Sequence, residues 1–359
     1  VPPGGPDPPA GAAGARVSRD RRGLVALAVV ALLALALPLL VRAPTSRNTA
    51  IVMLMTAQLG VAWNVLGGYA GQVSLGHAVF FGCGAYTSTW LLLSHGVSPW
   101  IGMLAGGVVS AALALAIGWP CFRLRGHYFA MATIAVGEIV QAVVTNWDAL
   151  GGAVGLYLPV QERGLRGFVW NTTKVPYYYV ALGLLAFSLL VNWAVVRSHL
   201  GYYLRAIKDE PDAARSLGVS LTRYKLVAIA LSSFLAAAGG TLYAQKELYI
   251  DPGSVLPTSL SIKISLAAIL GGVGTLLGPV VGAVVLTAID EGSRTLFGGT
   301  GRGTDLVIYG LLIVGFAVFK PEGILGLVGD RRRAPASGGP DGEAPPPGDP
   351  TAPAAGGAR

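Results

Sequence analysis

The sequence predicts an all-α, polytopic integral membrane protein with about ten transmembrane helices, some of them interrupted by glycine in both halves of the chain. Three observations lead to this prediction. Of the 359 residues, 53% are hydrophobic and only 12% are charged, about half the charge of a soluble domain. Long apolar segments recur along the chain, and mean hydropathy is +0.60. The 51 glycines suit helices that pack closely in a bilayer. This composition excludes a soluble globular protein.

Two tails, residues 1–22 and 329–359, are rich in Pro, Gly and Ala and are predicted to be disordered. They flank a membrane domain over residues 23–328. Residues 24–41 form its first span, which we interpret as an anchor because the apolar run is long for a signal peptide. Residues 259–289 are interrupted by glycines and predict two short helices. The remaining predicted spans are residues 51–66, 78–93, 99–119, 128–145, 176–196, 226–243 and 305–319.

Basic residues predict the orientation. With the N-terminus inside, 17 of the 26 Lys and Arg residues fall in inside segments, as the positive-inside rule requires. Both termini are then cytoplasmic, residues 146–175 external and residues 197–225 cytoplasmic. The net charge of +8 is therefore a topology signal and not a sign of nucleic-acid binding. Cys83 and Cys121 show no metal or disulfide spacing.

The cytoplasmic loop contains a short helix signal, KDEPDAARSLG, at residues 208–218. Pro211 suits a first helical turn, where Asp209 or Glu210 can cap. Asp212 and Arg215 can pair on one face, and Gly218 can end the helix in a left-handed conformation. This helix has the size to sit in a groove of another protein, although an ordinary amphipathic loop helix explains the pattern as well.

Several segments, in the same order along the chain, resemble the sequences of one protein family. Residues 212–218 (DAARSLG) are similar to the "EAA…G" signature of ABC importer permeases, with Asp in place of Glu. Residues 63–77 (WNVLGGYAGQVSLGH) and 78–86 (AVFFGCGAY) closely resemble the first signature of branched-chain amino acid permeases of the LivM type. The resemblance spans about residues 50–328 and continues through the following segments: 123–133 (RLRGHYFAMAT), 138–139, 146–148, 204–210 (LRAIKDE), 270–279 (LGGVGTLLGP) and 321–326 (PEGILG).

The resemblance implies a multi-subunit importer. Its partners would be a second, LivH-like permease, two cytoplasmic ATPases, an extracytoplasmic solute-binding protein and membrane lipid, with no nucleic acid. ATP and Mg would bind the ATPases, and this chain would hold no cofactor or metal; it also lacks a phosphate-binding G-x-x-x-x-G-K-[ST] motif. The coupling residues implied are Glu210, Asp212, Ala213, Ala214, Arg215 and Gly218. In residues 151–156 (GGAVGL), Val154 replaces a residue that is often polar in relatives, which leaves substrate choice open.

Glycine runs interrupt apolar segments at matching places in the two halves. Non-helical backbone at membrane depth must line a cavity or be buried in protein, so such breaks point to a translocation path. Close packing of small residues, as at Gly102/Gly106 and Gly278/Gly282, is the alternative. The candidate path residues are Gly67, Gly68, Gly71, Gln72, Ser74, Gly76, His77, Glu138, Gly271, Gly272, Gly274 and Thr275.

Two candidate path residues are ionisable. His77 follows Ser74 by three residues and could carry protons, but no acid lies nearby in the sequence to orient it, which favours a structural histidine. Glu138 is the one acid we place inside a span, where a carboxylate must face a partner or a wet cavity. Gating and structural pairing both fit it.

The sequence thus predicts a permease subunit of an ATP-binding cassette importer in the bacterial inner membrane. Its solute would be Leu, Ile or Val, or a related small molecule such as urea or an aromatic acid. The main alternative is a gradient-driven secondary transporter or channel, for which Glu138 would be the coupling acid. A membrane-bound enzyme lacks support, because no catalytic constellation is present.

Overall fold

A computed structural model describes residues 35–38, 43–124, 126–159, 168 and 174–296, and the single positions 307, 310, 311, 315 and 324. The predicted tails lie outside these residues. So does most of the predicted span 305–319. Of the predicted first span, residues 35–38 are described, and they are helical.

The described chain is a helical bundle, which confirms the predicted fold class; the count of ten spans stays a prediction. The helices are α1 (Pro44–Asn64), α2 (His77–His95), α3 (Pro99–Cys121), α4 (His127–Thr145), α5 (Val175–Arg197), α6 (His199–Asp209), α7 (Pro211–Ser216), α8 (Leu221–Glu247), α9 (Pro252–Val255), α10 (Thr258–Gly271) and α11 (Gly278–Leu296). A π turn, Val65–Tyr69, continues α1, a short 3-10 turn covers Asp148–Leu150, and β1 (Leu156–Tyr157) pairs antiparallel with β2 (Tyr249–Ile250).

Six helical stretches among the described residues are long and apolar enough to cross a membrane. They are α1 with its π turn, α3, α4, α5, α8, and α9 together with α10. The predicted pair of short helices at 259–289 is confirmed as α10 and α11, although α11 continues to Leu296.

The centre of the bundle is formed by α1, α2 and α8. Helix α2 packs against both α3 and α8, while α1 contacts α5, α10 and α11. The most apolar stretch of α1 is 89% buried in this chain, whereas that of α4 is only 17% buried. Helix α4 is therefore the most peripheral of the six candidate spans.

Glycines let the central helices approach closely. A Cβ added at Gly84 would lie 2.1 Å from the Ala237 carbonyl oxygen, and one at Gly240 would lie 1.9 Å from the Phe81 oxygen. A Cβ at Gly106 would be 3.1 Å from the Gly84 Cα. The small-residue packing predicted for such positions therefore applies to the α2, α3 and α8 contacts.

The bundle has two distinct ends. The β1–β2 pair brings residues 156–157 beside residues 249–250, and we call this the strand-pair end. Helices α6 and α7 lie at the other end, where the π turn and the α10–α11 connection also lie, and we call this the Lys208 end.

Candidate translocation and coupling site

The first glycine break joins a π turn to an irregular, non-helical segment. Residues 65–69 are buried in the π turn, and the chain then runs without helix over residues 70–76 to the start of α2. A Cβ at Gly68 would lie 2.0 Å from the Asn64 Oδ1, and Gly71 has a left-handed φ of +67°. A Cβ at Gly67 would meet the Trp63 ring. These positions therefore need glycine for close approach or for conformation.

The second break connects α10 to α11. A Cβ at Gly271 would lie 1.7 Å from the Gly278 carbonyl oxygen, so these two helices meet through bare backbone. Gly272 and Gly274 have φ values of +125° and +80°. The Thr275 hydroxyl donates to the Gly272 oxygen and accepts from the Gly278 N–H, at 2.8 and 3.1 Å. Thr275 thus stabilises the turn.

One side-chain amide, that of Asn64, joins the two breaks. Its Oδ1 accepts from the Gly274 N–H at 2.9 Å, and its Nδ2 donates to the Thr275 oxygen at 2.9 Å. Asn64 is fully buried and precedes the π turn. Sequence reasoning did not select Asn64, although a polar residue inside an apolar run immediately before a break was a signal.

Lys208 links the first break to α6. Its Nζ donates to the Gly68 carbonyl oxygen at 3.0 Å. Its aliphatic part packs on Gly71, where an added Cβ would lie 2.9 Å from the Lys208 Cγ. Since α7 begins three residues later, the first break and the predicted coupling helix are connected through one side chain.

His77 is held between two serines. The Ser232 hydroxyl donates to the Ala62 oxygen at 2.7 Å, so it accepts from the His77 Nε2–H at 2.9 Å. The His77 Nδ1 is hydrogen-bonded to the Ser74 hydroxyl at 3.0 Å. The imidazole is fully buried and both of its ring nitrogens are bonded to serines, which supports the structural interpretation over the proton carrier.

The first break also reaches deep into the bundle. Ser232 lies eleven residues after the start of α8, about 16 Å along that helix at 1.5 Å per residue. Because His77 contacts Ser232, the irregular segment 70–76 runs from the Lys208 end to this depth. Gly76 packs on α4, where an added Cβ would be 2.6 Å from the Thr133 oxygen. Gln72 is half-buried, and its amide donates weakly to the Ala70 oxygen at 3.4 Å.

Glu138 makes no hydrogen bond to either break among the described residues. It lies on the exposed side of α4, and its carboxylate accepts from the Thr258 hydroxyl at the start of α10. It is also not the only acid in the bundle helices: Asp290 of α11 pairs with Lys263 of α10, with 11% and 19% of their side chains exposed. Sequence reasoning missed Asp290 because the predicted span ended at residue 289.

The predicted coupling helix is present as α7, and its C-terminal geometry agrees with the prediction. Gly218 has a φ of +84°, and the Val219 N–H donates to the Ala214 oxygen at 3.1 Å, which is a Schellman ending. At the N-terminus, Glu210 occupies the cap position, but its side chain makes no capping hydrogen bond.

The two alanines of α7 have opposite surroundings. Ala214 is only 4% exposed and faces its own chain, so its assignment to a docking surface is wrong. Ala213 is exposed, and so are Asp212 and Arg215. Leu217, which the sequence analysis did not select, is 86% exposed. The accessible surface of α7 therefore combines a small residue with a large apolar one.

The comparisons decide the family. Residues 45–316 match the family described as the permease component of branched-chain amino acid transport systems. The chain belongs to this family. It is 30% identical over 324 residues to the high-affinity branched-chain amino acid transport system permease protein LivM of Escherichia coli K12, covering 84% of this chain and 74% of that protein.

Two further relatives have different degrees of similarity. The LivM protein of Salmonella typhimurium is 32% identical over 289 residues, covering 74% of this chain and 67% of that protein. The permease protein LivH of Escherichia coli K12 is 25% identical over 290 residues, covering 75% and 91%. The chain is thus similar to both LivM and LivH, with higher identity to LivM. The predicted resemblance is confirmed.

Proposed function

We propose that the chain is one of two permease subunits of an ATP-driven importer in the bacterial inner membrane. Its partners are a LivH-like permease, two cytoplasmic ATPases that bind ATP and Mg, and an external solute-binding protein. The solute is Leu, Ile or Val, or a related small solute. The Lys208 end is cytoplasmic and the strand-pair end external, an orientation that the distribution of Lys and Arg supports.

The observation that carries this proposal is the convergence at the Lys208 end. Ala213 of α7 and Leu217, the residue that ends it, are exposed. Lys208, three residues before α7, donates to the Gly68 carbonyl oxygen of the first break. Asn64 extends the connection to the second break. A displacement of α7 by an ATPase would therefore reach both breaks through three contacts.

Co-purification tests the partners. The chain is co-expressed with a LivH-like permease and the ATPase subunits proposed as its partners, and the complex is isolated through a tag on an ATPase. Ala213→Phe, on the exposed side of α7, is expected to abolish capture by steric overlap with the ATPase. Ser198→Phe, exposed at the start of α6, is the control and should be captured normally. Capture of Ala213→Phe at the wild-type level would show that α7 is not the docking element.

The Lys263–Asp290 pair favours one alternative function, that of a gradient-driven transporter. Ionisable pairs inside a membrane are a feature of gradient-driven transporters, so this pair could serve ion coupling. Uptake by reconstituted vesicles separates the two functions. An importer of the proposed kind takes up solute only with ATP and is insensitive to collapse of the proton and sodium gradients.

A further inference from the structure

Helix α4 carries an acid on a side that the described part of the chain leaves uncovered. Met131, Ala135, Glu138 and Ala142 are exposed, and their spacing of four, three and four residues places them in one stripe along the helix. Ile139, 61% exposed, lies beside the stripe. We call this stripe the Glu138 face.

The Glu138 face lies within the membrane-crossing part of α4. Glu138 follows His127 by eleven residues and precedes Thr145 by seven, which is about 16 Å and 10 Å along the helix. The carboxylate is therefore too far from either helix end for a short side chain to reach the headgroup region. A carboxylate at this depth is unfavourable in lipid and must meet protein or water.

Two other peripheral helices show what a lipid-facing surface looks like in this chain. The exposed residues of α3 are all apolar, with Leu104 and Val108 at its middle. Those of α5 are apolar or aromatic and carry no charge until its last residue, Arg197, whose guanidinium stacks on Trp193. Glu138 thus distinguishes α4 from its peripheral neighbours.

The contact with Thr258 does not account for the carboxylate. A single hydroxyl donates to Oε1, whereas an ionised carboxylate has about four acceptor positions. The Glu138 side chain remains exposed despite this bond. The charge therefore calls for further donors from outside the described chain.

We propose that the Glu138 face of α4 packs against the second permease subunit, and that the Glu138 carboxylate faces water in the translocation pathway at this seam. The inference rests on the proposed function, since that function supplies the second permease. The apolar members of the stripe provide packing surface, and the carboxylate provides an acceptor for the ammonium group of a passing amino acid or for donors of the partner.

Photo-cross-linking tests the seam in the intact transporter. The photoreactive residue p-benzoylphenylalanine replaces Ala135 on the Glu138 face and, as a matched control, Val108 on α3. Irradiation of membrane vesicles is expected to join Ala135→p-benzoylphenylalanine to the second permease, and the Val108 variant only to lipid. Lipid adducts alone at position 135 would overturn the proposal.

Thiol labelling tests the contact with water. Cys83 and Cys121 are first replaced, and Glu138→Cys is compared with Val108→Cys, using a charged thiosulfonate reagent on the assembled complex. Because only the thiolate reacts and lipid suppresses its formation, labelling at 138 should be faster by about tenfold or more. Equal, slow labelling at both positions would overturn the pathway assignment.

The two proposals fail in different ways. If the wild-type chain captures neither ATPase nor a second permease, the proposed function fails, and this inference fails with it. If both partners are captured but position 135 forms lipid adducts alone or position 138 labels no faster than position 108, only the inference about α4 is wrong. Capture of each variant through the ATPase tag shows that the variant chain is folded and assembled.

Discussion

At the scale of single residues, the two glycine breaks depend on the absence of side chains. Gly68→Leu and Gly271→Val should each abolish uptake, because an added Cβ at either position would lie within 2.0 Å of another atom, the Asn64 Oδ1 or the Gly278 oxygen. Insertion into the membrane should be largely preserved. Uptake per inserted molecule is the measurement.

The chain offers a matched control for these glycine substitutions. Gly183 lies in α5, and a Cβ added there would meet nothing within 4 Å. Gly183→Leu should therefore transport normally. Normal uptake by both Gly68→Leu and Gly271→Val would remove the breaks from the mechanism.

Asn64 allows a second prediction at this scale. Asn64→Asp keeps the acceptor for the Gly274 N–H but replaces the donor to the Thr275 oxygen with a second acceptor. We expect a loss of about 1–3 kcal/mol in stability, as for a buried acceptor without its donor, together with loss of uptake. Thermal unfolding of the purified complex and vesicle uptake measure the two effects.

Asn192→Asp is the control that separates loss of the Asn64 contacts from the general effect of burying an acid. Asn192 is also fully buried, and its amide donates to the Val61 and Ser188 oxygens, away from both breaks. This variant should lose stability but retain uptake per folded molecule. Equal uptake defects in the two variants would argue against a special role for Asn64.

At the scale of elements, α6 should transmit motion through Lys208. Lys208→Met removes the donor to the Gly68 oxygen while keeping a similar side-chain length. We expect ATPase capture to be unchanged, uptake to fall and ATP hydrolysis to lose its dependence on the loaded binding protein. Lys208→Arg should retain function, because it keeps a donor for the Gly68 oxygen. Full uptake by Lys208→Met would show that the contact is incidental.

The ending of α7 gives a prediction in which only backbone conformation changes. Gly218 has a φ of +84°, and an added Cβ would meet nothing within 4 Å. Gly218→Val should therefore act through conformation alone, at about 1–2 kcal/mol, and should misdirect the chain into α8 and weaken ATPase capture. Gly218→Asn should be tolerated, since Asn adopts the left-handed region more readily. Equal capture of both variants would contradict this.

The sequence was sufficient to predict elements whose signals are local. Pro211 and Gly218 bracket α7 because a proline and a left-handed glycine act on their own turn. The orientation of a side chain on a two-turn helix depends instead on what the helix packs against, so sequence reasoning placed Ala214 on the wrong side. The bonds from Asn64 to Gly274 and Thr275 cross more than 200 residues, and no local pattern encodes such a pairing.

At the scale of the whole molecule, the basic residues predict which end is cytoplasmic. Two strongly exposed residues mark the ends: Leu217, 86% exposed at the Lys208 end, and Val154, 71% exposed near β1. After replacement of Cys83 and Cys121, Val154→Cys should react with an impermeant thiol reagent in intact cells. Leu217→Cys should react only after the cells are opened. The reverse pattern would invert the topology.

The bonds made by Asn64 have a consequence for how the molecule changes state. Both bonds come from one planar amide and end on two consecutive residues, Gly274 and Thr275. Any motion that separates α1 from the α10–α11 connection must therefore break both of them. The energetic cost of parting the two breaks is thus concentrated in one buried side chain, which makes Asn64 a natural point of control over the change of state.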